Sequence, residues 1–158
     1  MNFMEFKSMV ICENQIMKRK IREQYIKEFI NVNHQYFYKD IKKLHKYHDG
    51  LCYDGYLWDY LKKGILISED DLNKKLISMN NDFVYVMWDI HSEEKIFIEN
   101  YWKFQKDDIL KMNPEIFLKG ESFLPEDIYI FDKDMTWTLI KTHEDIGEEE
   151  RYCLMQQK

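Results

Sequence analysis

The stretch FLPEDIYIFDKDMTWTLIKTHEDIGEEE, residues 123–150, decides the fold of this chain. It contains two runs rich in β-branched and aromatic residues, IYIF at 128–131 and WTLIKT at 137–142. A polar segment with two aspartates, residues 132–135, separates them, and aspartate is favoured in turns because its side chain can bond its own backbone. The block therefore predicts two antiparallel strands joined by a turn.

A second β pattern lies upstream of this block. Residues 82–90, DFVYVMWDI, are rich in Val, Tyr, Phe and Trp, and the polar segment HSEE at 91–94 precedes KIFIENYW at 95–102. This arrangement predicts a β-hairpin. Together the two blocks predict a mainly antiparallel sheet of about four strands.

The first half of the chain has helical patterns. Residues 14–31 place apolar side chains at steps of four, and Ser68 followed by three acids is a strong helix start. The predicted helices are Asn14–Asn31, Gln35–Tyr47, a short buried one within 51–64, Ser68–Met79, and one or two turns in Lys106–Met112. The fold class predicted is α+β, with the helices packed on one face of the sheet.

Length and composition predict one soluble domain. A chain of 158 residues with 45% apolar and 33% charged content can bury a single core, and no apolar run is long enough to span a bilayer. Three widely spaced cysteines and no visible signal peptide favour reduced thiols and a cytoplasmic location. We expect one domain over 1–158, with 1–13 and 148–158 mobile.

The charge is unevenly distributed. The net charge is −6, and residues 121–150 hold ten acids against two lysines. A negative surface repels nucleic acid and attracts a basic protein. The alternative, a solvated acidic face without a partner, stays open at this point.

The triplet Thr142-His143-Glu144 is the sharpest candidate for chemistry. A histidine beside carboxylates can act as a general base, whereas the structural alternative is that Thr142 and His143 cap the end of the strand. His45 and His48, followed by Cys52, have metal-ligand chemistry, but Gly50 interrupts the predicted helix. We therefore predict no metal site and no cofactor.

Three segments together resemble a family of small, functionally uncharacterised bacterial proteins. They are GYLW at 55–58, DIYIFD at 127–132 and WTLIKTHE at 137–144. The chain differs from that pattern at Asp59, where the family often has histidine, and this removes one partner for His143. The resemblance implies a shared fold and no assigned activity.

The function predicted from these features is that of a bacterial immunity-type protein, which binds and neutralises a basic toxin such as a nuclease. No membrane and no nucleic-acid partner is expected, and nothing in the sequence requires a reaction. The alternative is a small enzyme or ligand-binding domain with a site around His143. The candidate partner-binding residues are Glu121, Glu126, Asp127, Tyr129, Asp132, Asp134, Trp137, His143, Glu144 and Asp145.

Overall fold

The computed structural model describes residues 1–79, 82–94 and 97–158. The strands are β1 (Ile11–Cys12), β2 (His45–Tyr47), β3 (Gly50–Cys52), β4 (Ile65–Ile67), β5 (Val84–Met87), β6 (Leu110–Met112), β7 (Ile128–Phe131), β8 (Trp137–Ile146) and β9 (Glu150–Gln157). The α-helices are α1 (Phe3–Met9), α2 (Gln15–Phe29), α3 (Glu69–Ser78) and α4 (Pro114–Gly120). Shorter helical turns cover Tyr38–Lys42, Leu57–Tyr60, Tyr101–Lys103 and Glu121–Phe123.

Seven strands of the described residues form one antiparallel sheet in the order β1-β6-β5-β7-β8-β9-β4, and β2 and β3 form a separate hairpin. The class is α+β, but the prediction of about four strands is wrong. Three of the strands that were not predicted, β1, β4 and β6, have only two or three residues. Such short segments cannot display an alternating pattern, and only the neighbouring strands fix them.

Helices cover both faces of the sheet, so the prediction of a single helical face is also wrong. In β7, Ile128 and Ile130 pack into a core with α1, α3 and α4, whereas Tyr129 and Phe131 pack into a second core with α2 and residues 30–61. All four residues of β7 are fully buried. A strand that is apolar on both sides requires a layer of structure on each.

Two predicted helices are confirmed, together with the strands β7 and β8. The Asn14 side chain accepts a hydrogen bond from Met17 N at the start of α2, and the Ser68 hydroxyl accepts one from Asp71 N at the start of α3. These contacts satisfy backbone donors that a helix leaves unpaired at its first turn.

The predicted helix Gln35–Tyr47 is wrong except over the helical turn Tyr38–Lys42. A helical turn ends at Lys42, and the chain then forms the hairpin β2–β3, which reverses beside Gly50 with φ +116°. The left-handed backbone at Gly50 favours glycine because it has no Cβ. Within 51–64 the helical part is confined to Leu57–Tyr60.

The predicted helical turns in Lys106–Met112 are wrong as well. The Asp108 carboxylate accepts a hydrogen bond from Gln105 N and forms a salt bridge with Lys18 Nζ, and the next residues enter the sheet as β6. A distant lysine and the neighbouring strands therefore override the local pattern.

Of the predicted hairpin at 82–102, the described residues contain only the first strand, β5. Lys95 and Ile96 lie outside the described residues, and the described residues 97–102 contain no strand. β5 pairs instead with β6 and β7.

Both chain ends that we expected to be mobile hold regular structure. Residues 3–9 form α1, and β9 lies between β8 and β4 in the sheet. Among the described helices, none has the length and apolarity needed to cross a membrane.

Candidate functional site

The side chain of His143, near the outer end of β8, is held by a buried carboxylate. Asp127 accepts hydrogen bonds from His143 N at 2.9 Å and from Nδ1 at 2.9 and 3.0 Å. The Asp127 side chain is 5% exposed and that of His143 is 38% exposed. Because a carboxylate accepts at Nδ1, that nitrogen carries the proton, and Nε2 has no hydrogen-bond partner among the described residues.

Carboxylates also set the proton affinity of His143. Burial lowers its pKa, but the hydrogen bond and charge of Asp127, with the charges of Glu144 and Glu126, outweigh burial and raise the pKa above the ordinary 6.5. The neutral ring therefore accepts a second proton, at Nε2, more readily than a free histidine does.

Tyr56 is the aromatic neighbour of His143. The two ring centroids lie 5.4 Å apart, and Tyr56 also stacks on Trp58 at 5.1 Å and meets His91 edge-on at 5.0 Å. Burial, followed by the charges of nearby carboxylates, raises the pKa of Tyr56 to about 12. The Tyr56 phenol is therefore neutral at physiological pH.

A buried aspartate beneath the surface fixes the segment that carries Tyr56. Asp89 accepts hydrogen bonds from Leu57 N at 2.8 Å and from the Tyr129 hydroxyl at 2.7 Å, and that hydroxyl accepts one from Trp58 N at 2.9 Å. Burial raises the pKa of Asp89 to about 7, although both hydrogen bonds lower it. The residues 55–58, 127–132 and 137–144, far apart in sequence, thus meet at one place.

Four of the ten candidate partner-binding residues are buried, and they have structural roles. They are Asp127, Tyr129, Asp132 and Trp137. The Asp132 carboxylate accepts hydrogen bonds from Thr136 N and its hydroxyl and from Trp137 N, so its predicted role as a turn former is confirmed. Asp134 is exposed in the same turn, at the opposite end of β8 from His143.

Glu121 is a candidate residue whose charge is already neutralised. Its carboxylate pairs with the fully buried Lys141 Nζ at 2.9 Å and with Arg151 Nη1 at 3.2 Å, and Glu69 joins both cations. These ion pairs tie α3 to β8 and β9, and they leave Glu121 little net charge for a partner.

Six acids just before β7, in the last part of β8, in the β8–β9 turn and at the start of β9 form an exposed surface, which we call the acidic end. Its members are exposed, and none forms a salt bridge with another described residue; they are Glu126, Glu144, Asp145, Glu148, Glu149 and Glu150. The last three lie in the segment 148–158, which we expected to be mobile, but they belong to the β8–β9 turn and the start of β9, where Gly147 and Glu149 have positive φ. Thr142 and His143 do not cap the end of a strand, because β8 continues to Ile146. The Thr142 hydroxyl donates to Tyr152 O at 2.7 Å and accepts from Glu144 N at 3.2 Å, so it ties this part of β8 to β9.

Sequence reasoning missed two residues of this site, Tyr56 and Asp89. Tyr56 was assigned only to a buried helix, and its contact with His143 depends on the path of the chain from Gly55. Asp89 did have a local signal, an acid directly after an apolar strand pattern. Such a side chain must be solvated by hydrogen bonds if the strand is buried.

The histidines of the weak metal pattern have carboxylate partners. His45 Nε2 lies 2.5 Å from Asp54 Oδ2, and His48 Nδ1 pairs with Glu94. Groups of three or more potential metal ligands are absent from the part of the chain that the structure describes.

Comparison with known proteins gives a family without an assigned activity. No curated protein and no solved structure matches the chain significantly. The model of the family described as "Domain of unknown function (DUF4275)" matches residues 1–153, and the chain belongs to this family.

Proposed function

We propose that this protein is an immunity-type inhibitor that binds a basic toxin domain through the acidic end. The observation that supports the proposal is that six exposed carboxylates lie at this end of the sheet and form no salt bridge in the described structure. Two of them, Glu126 and Glu144, raise the pKa of His143. Unpaired charges of one sign accelerate encounter with a partner of opposite charge and suppress wrong partners. On a nuclease partner, such carboxylates would occupy the positions of substrate phosphates.

An aromatic group suited to an interface, Tyr56, lies in contact with His143 next to the acidic end. The half-buried Tyr56 ring is held between Trp58, His91 and His143, so ordering it on binding costs little entropy. Interfaces gain most of their affinity from such anchored aromatic residues, with charged groups around them.

The experiment is calorimetry with the C-terminal domain of the protein encoded immediately upstream of this gene, at about 50 and about 300 mM NaCl. We expect 1:1 binding that weakens with salt and blocks the partner's activity.

Substitution of Glu148, Glu149 and Glu150 by glutamine should weaken binding, and Asp145→Asn should weaken it further. The matched control Asp134→Asn removes one charge at the other end of β8 and should leave the affinity unchanged. Equal effects of Asp145→Asn and Asp134→Asn would contradict the proposal.

A second function, a small enzyme in which His143 is a general base, is favoured by one specific observation. The buried Asp127 fixes the tautomer of His143 and leaves Nε2 as the proton acceptor. Because the surrounding groups are acidic, the substrate of such an enzyme would be a cation. The test is incubation with a panel of amines and guanidinium compounds, followed by mass spectrometry. Turnover by the native protein that His143→Gln abolishes supports catalysis, whereas unchanged compounds with intact partner binding favour the first proposal.

A further inference from the structure

A groove of about 1000 Å³ opens beside α2, and none of the residues of the acidic end line it. It lies between α2, the β2–β3 hairpin and residues 102–107, and its lining is largely apolar. The apolar side chains that matter here are Phe37, Ile41, Leu51, Tyr53, Ile90 and Trp102. Leu51 and Trp102 are 50% and 46% exposed, so large apolar surfaces face the groove without a covering layer.

Lys106 places a poorly compensated cation in the wall of this groove. Its side chain is only 13% exposed, and Nζ makes no hydrogen bond to any described residue. Its one salt bridge to a described residue is long, 3.7 Å to Asp49, and that carboxylate already accepts hydrogen bonds from the Ser92 hydroxyl at 2.8 Å and from Glu93 N at 3.1 Å. A buried ammonium without hydrogen bonds is costly, and an anion placed beside it would remove that cost.

Arg22 adds a second cation to the same wall. The residue is 7% exposed, Nη1 donates to Trp88 O at 3.0 Å, and no carboxylate of the described residues forms a salt bridge with it. Lys18 shows the contrast, because its ammonium pairs with Asp107 at 2.8 Å and Asp108 at 3.3 Å. With Lys18 and Asp107 compensating each other, the wall has four cations, Arg19, Arg22, Lys42 and Lys106, against two acids, Glu23 and Asp49.

We propose that this groove binds a small organic anion with an apolar body, with its acidic group beside Lys106. A purely inorganic anion fits this groove poorly, because it would leave the apolar side chains of the wall exposed to water. The volume lies within the range of pockets that enclose drug-sized ligands. Apolar surface together with the buried Arg22 and the largely buried Lys106 therefore favours an amphiphilic carboxylate or a similar monoanion as the ligand.

The test uses decanoate as the probe, with 1-decanol and decylamine as neutral and cationic analogues of equal chain length. Binding to the full chain is followed by calorimetry and by tryptophan fluorescence, since Trp102 lines the groove. We expect decanoate to bind, with the alcohol and the amine roughly tenfold weaker or worse, because hydrogen bonds to charged groups contribute that much.

Lys106→Met removes the charge and keeps an apolar stem, and it should weaken decanoate binding roughly tenfold. The matched control Lys133→Met removes an exposed charge from the β7–β8 turn and should have no effect. Equal affinity for the three probes, an unchanged affinity in Lys106→Met, or no decanoate binding up to about 1 mM would each overturn the proposal. The comparison of the three probes uses only the native protein, so it holds even if the variant fails to fold. None of these outcomes depends on the acidic end.

Discussion

At the scale of single residues, two aspartates with little exposure to water organise this molecule in different ways. Asp127 supports a residue at the surface, because it accepts hydrogen bonds from His143, whose side chain is 38% exposed. Asp89 supports the interior, because it accepts hydrogen bonds from Leu57 N and the Tyr129 hydroxyl, and both residues are buried. The same side-chain type therefore supports an exposed titrating group in one place and a rigid segment in the other.

The pKa of His143 should fall in Asp127→Asn, because the hydrogen bond to a charged acceptor is lost. NMR titration of the His143 ring measures this shift, and Glu144→Gln, which removes a charge without that bond, should lower the pKa less. Since the folded-state pKa is raised, the charged ring stabilises the fold fully below pH 6.5, and this stabilisation is lost as the pH rises through the folded-state value. An unchanged pKa in Asp127→Asn would contradict this account.

Asp89 should make the protein less stable as the pH rises from about 3.8 to about 7. Over this window the carboxyl releases its proton in the unfolded state and retains it in the folded state. The free energy of unfolding therefore falls as the pH rises. Asp89→Asn stays neutral and keeps an acceptor oxygen. Relative to the native protein, its free energy of unfolding should rise between pH 4 and pH 8, by an amount on the order of 4 kcal/mol at most. Urea unfolding at the two pH values measures this, and a constant difference would contradict it.

At the scale of elements, the contact between α1 and α4 depends on a glycine. A Cβ at Gly120 would lie 2.1 Å from Cδ2 and 2.2 Å from Cε2 of the fully buried Phe6 ring. The two helices approach this closely only because α4 ends without a side chain at that point.

Gly120→Ala should therefore destabilise the fold by roughly 1–3 kcal/mol, the usual cost of overpacking a core. Lys119→Ala, at an exposed position of the same helix, is the control and should change the free energy of unfolding little. Thermal and urea unfolding measure both variants. If Gly120→Ala were as stable as the control, the tight packing of Phe6 on α4 would be refuted.

At the scale of the whole molecule, one sheet carries two cores. Trp137 lies in the core that α1, α3 and α4 cover, and Trp58 lies in the core that α2 covers. Both cores share the strands β5, β7, β8 and β9, so neither can lose its packing without exposing the other face of the same strands.

We expect a single cooperative unfolding transition, which is also what the prediction of one domain requires. Leu76→Ala on one face and Ile41→Ala on the other should each lower the one midpoint without splitting the transition. Fluorescence of Trp58 and Trp137, isolated by replacing the other tryptophans with phenylalanine, should give the same midpoint as circular dichroism. Separate midpoints for the two faces would show two independently folding units.

The sequence by itself determined the elements whose information is local. The caps Asn14 and Ser68 begin α2 and α3, and the patterns of IYIF and WTLIKT produce β7 and β8, because each depends on neighbours a few residues away. The interest of His143 was visible in the same way, as a histidine beside carboxylates at a strand end.

Only the tertiary structure decided the size of the sheet, the helices on both faces and the partners of His143. The short strands β1, β4 and β6 form because neighbouring strands supply their hydrogen-bond partners. The C-terminal residues from Glu150 onward form β9 because they pair with β8. Asp127, Tyr56 and Asp89 meet through contacts between residues 16 to 87 positions apart in the chain. Such contacts form because they lower the free energy of packing between residues that are close in space. Periodicity and propensity depend only on residues that are close in sequence, so they cannot predict these contacts.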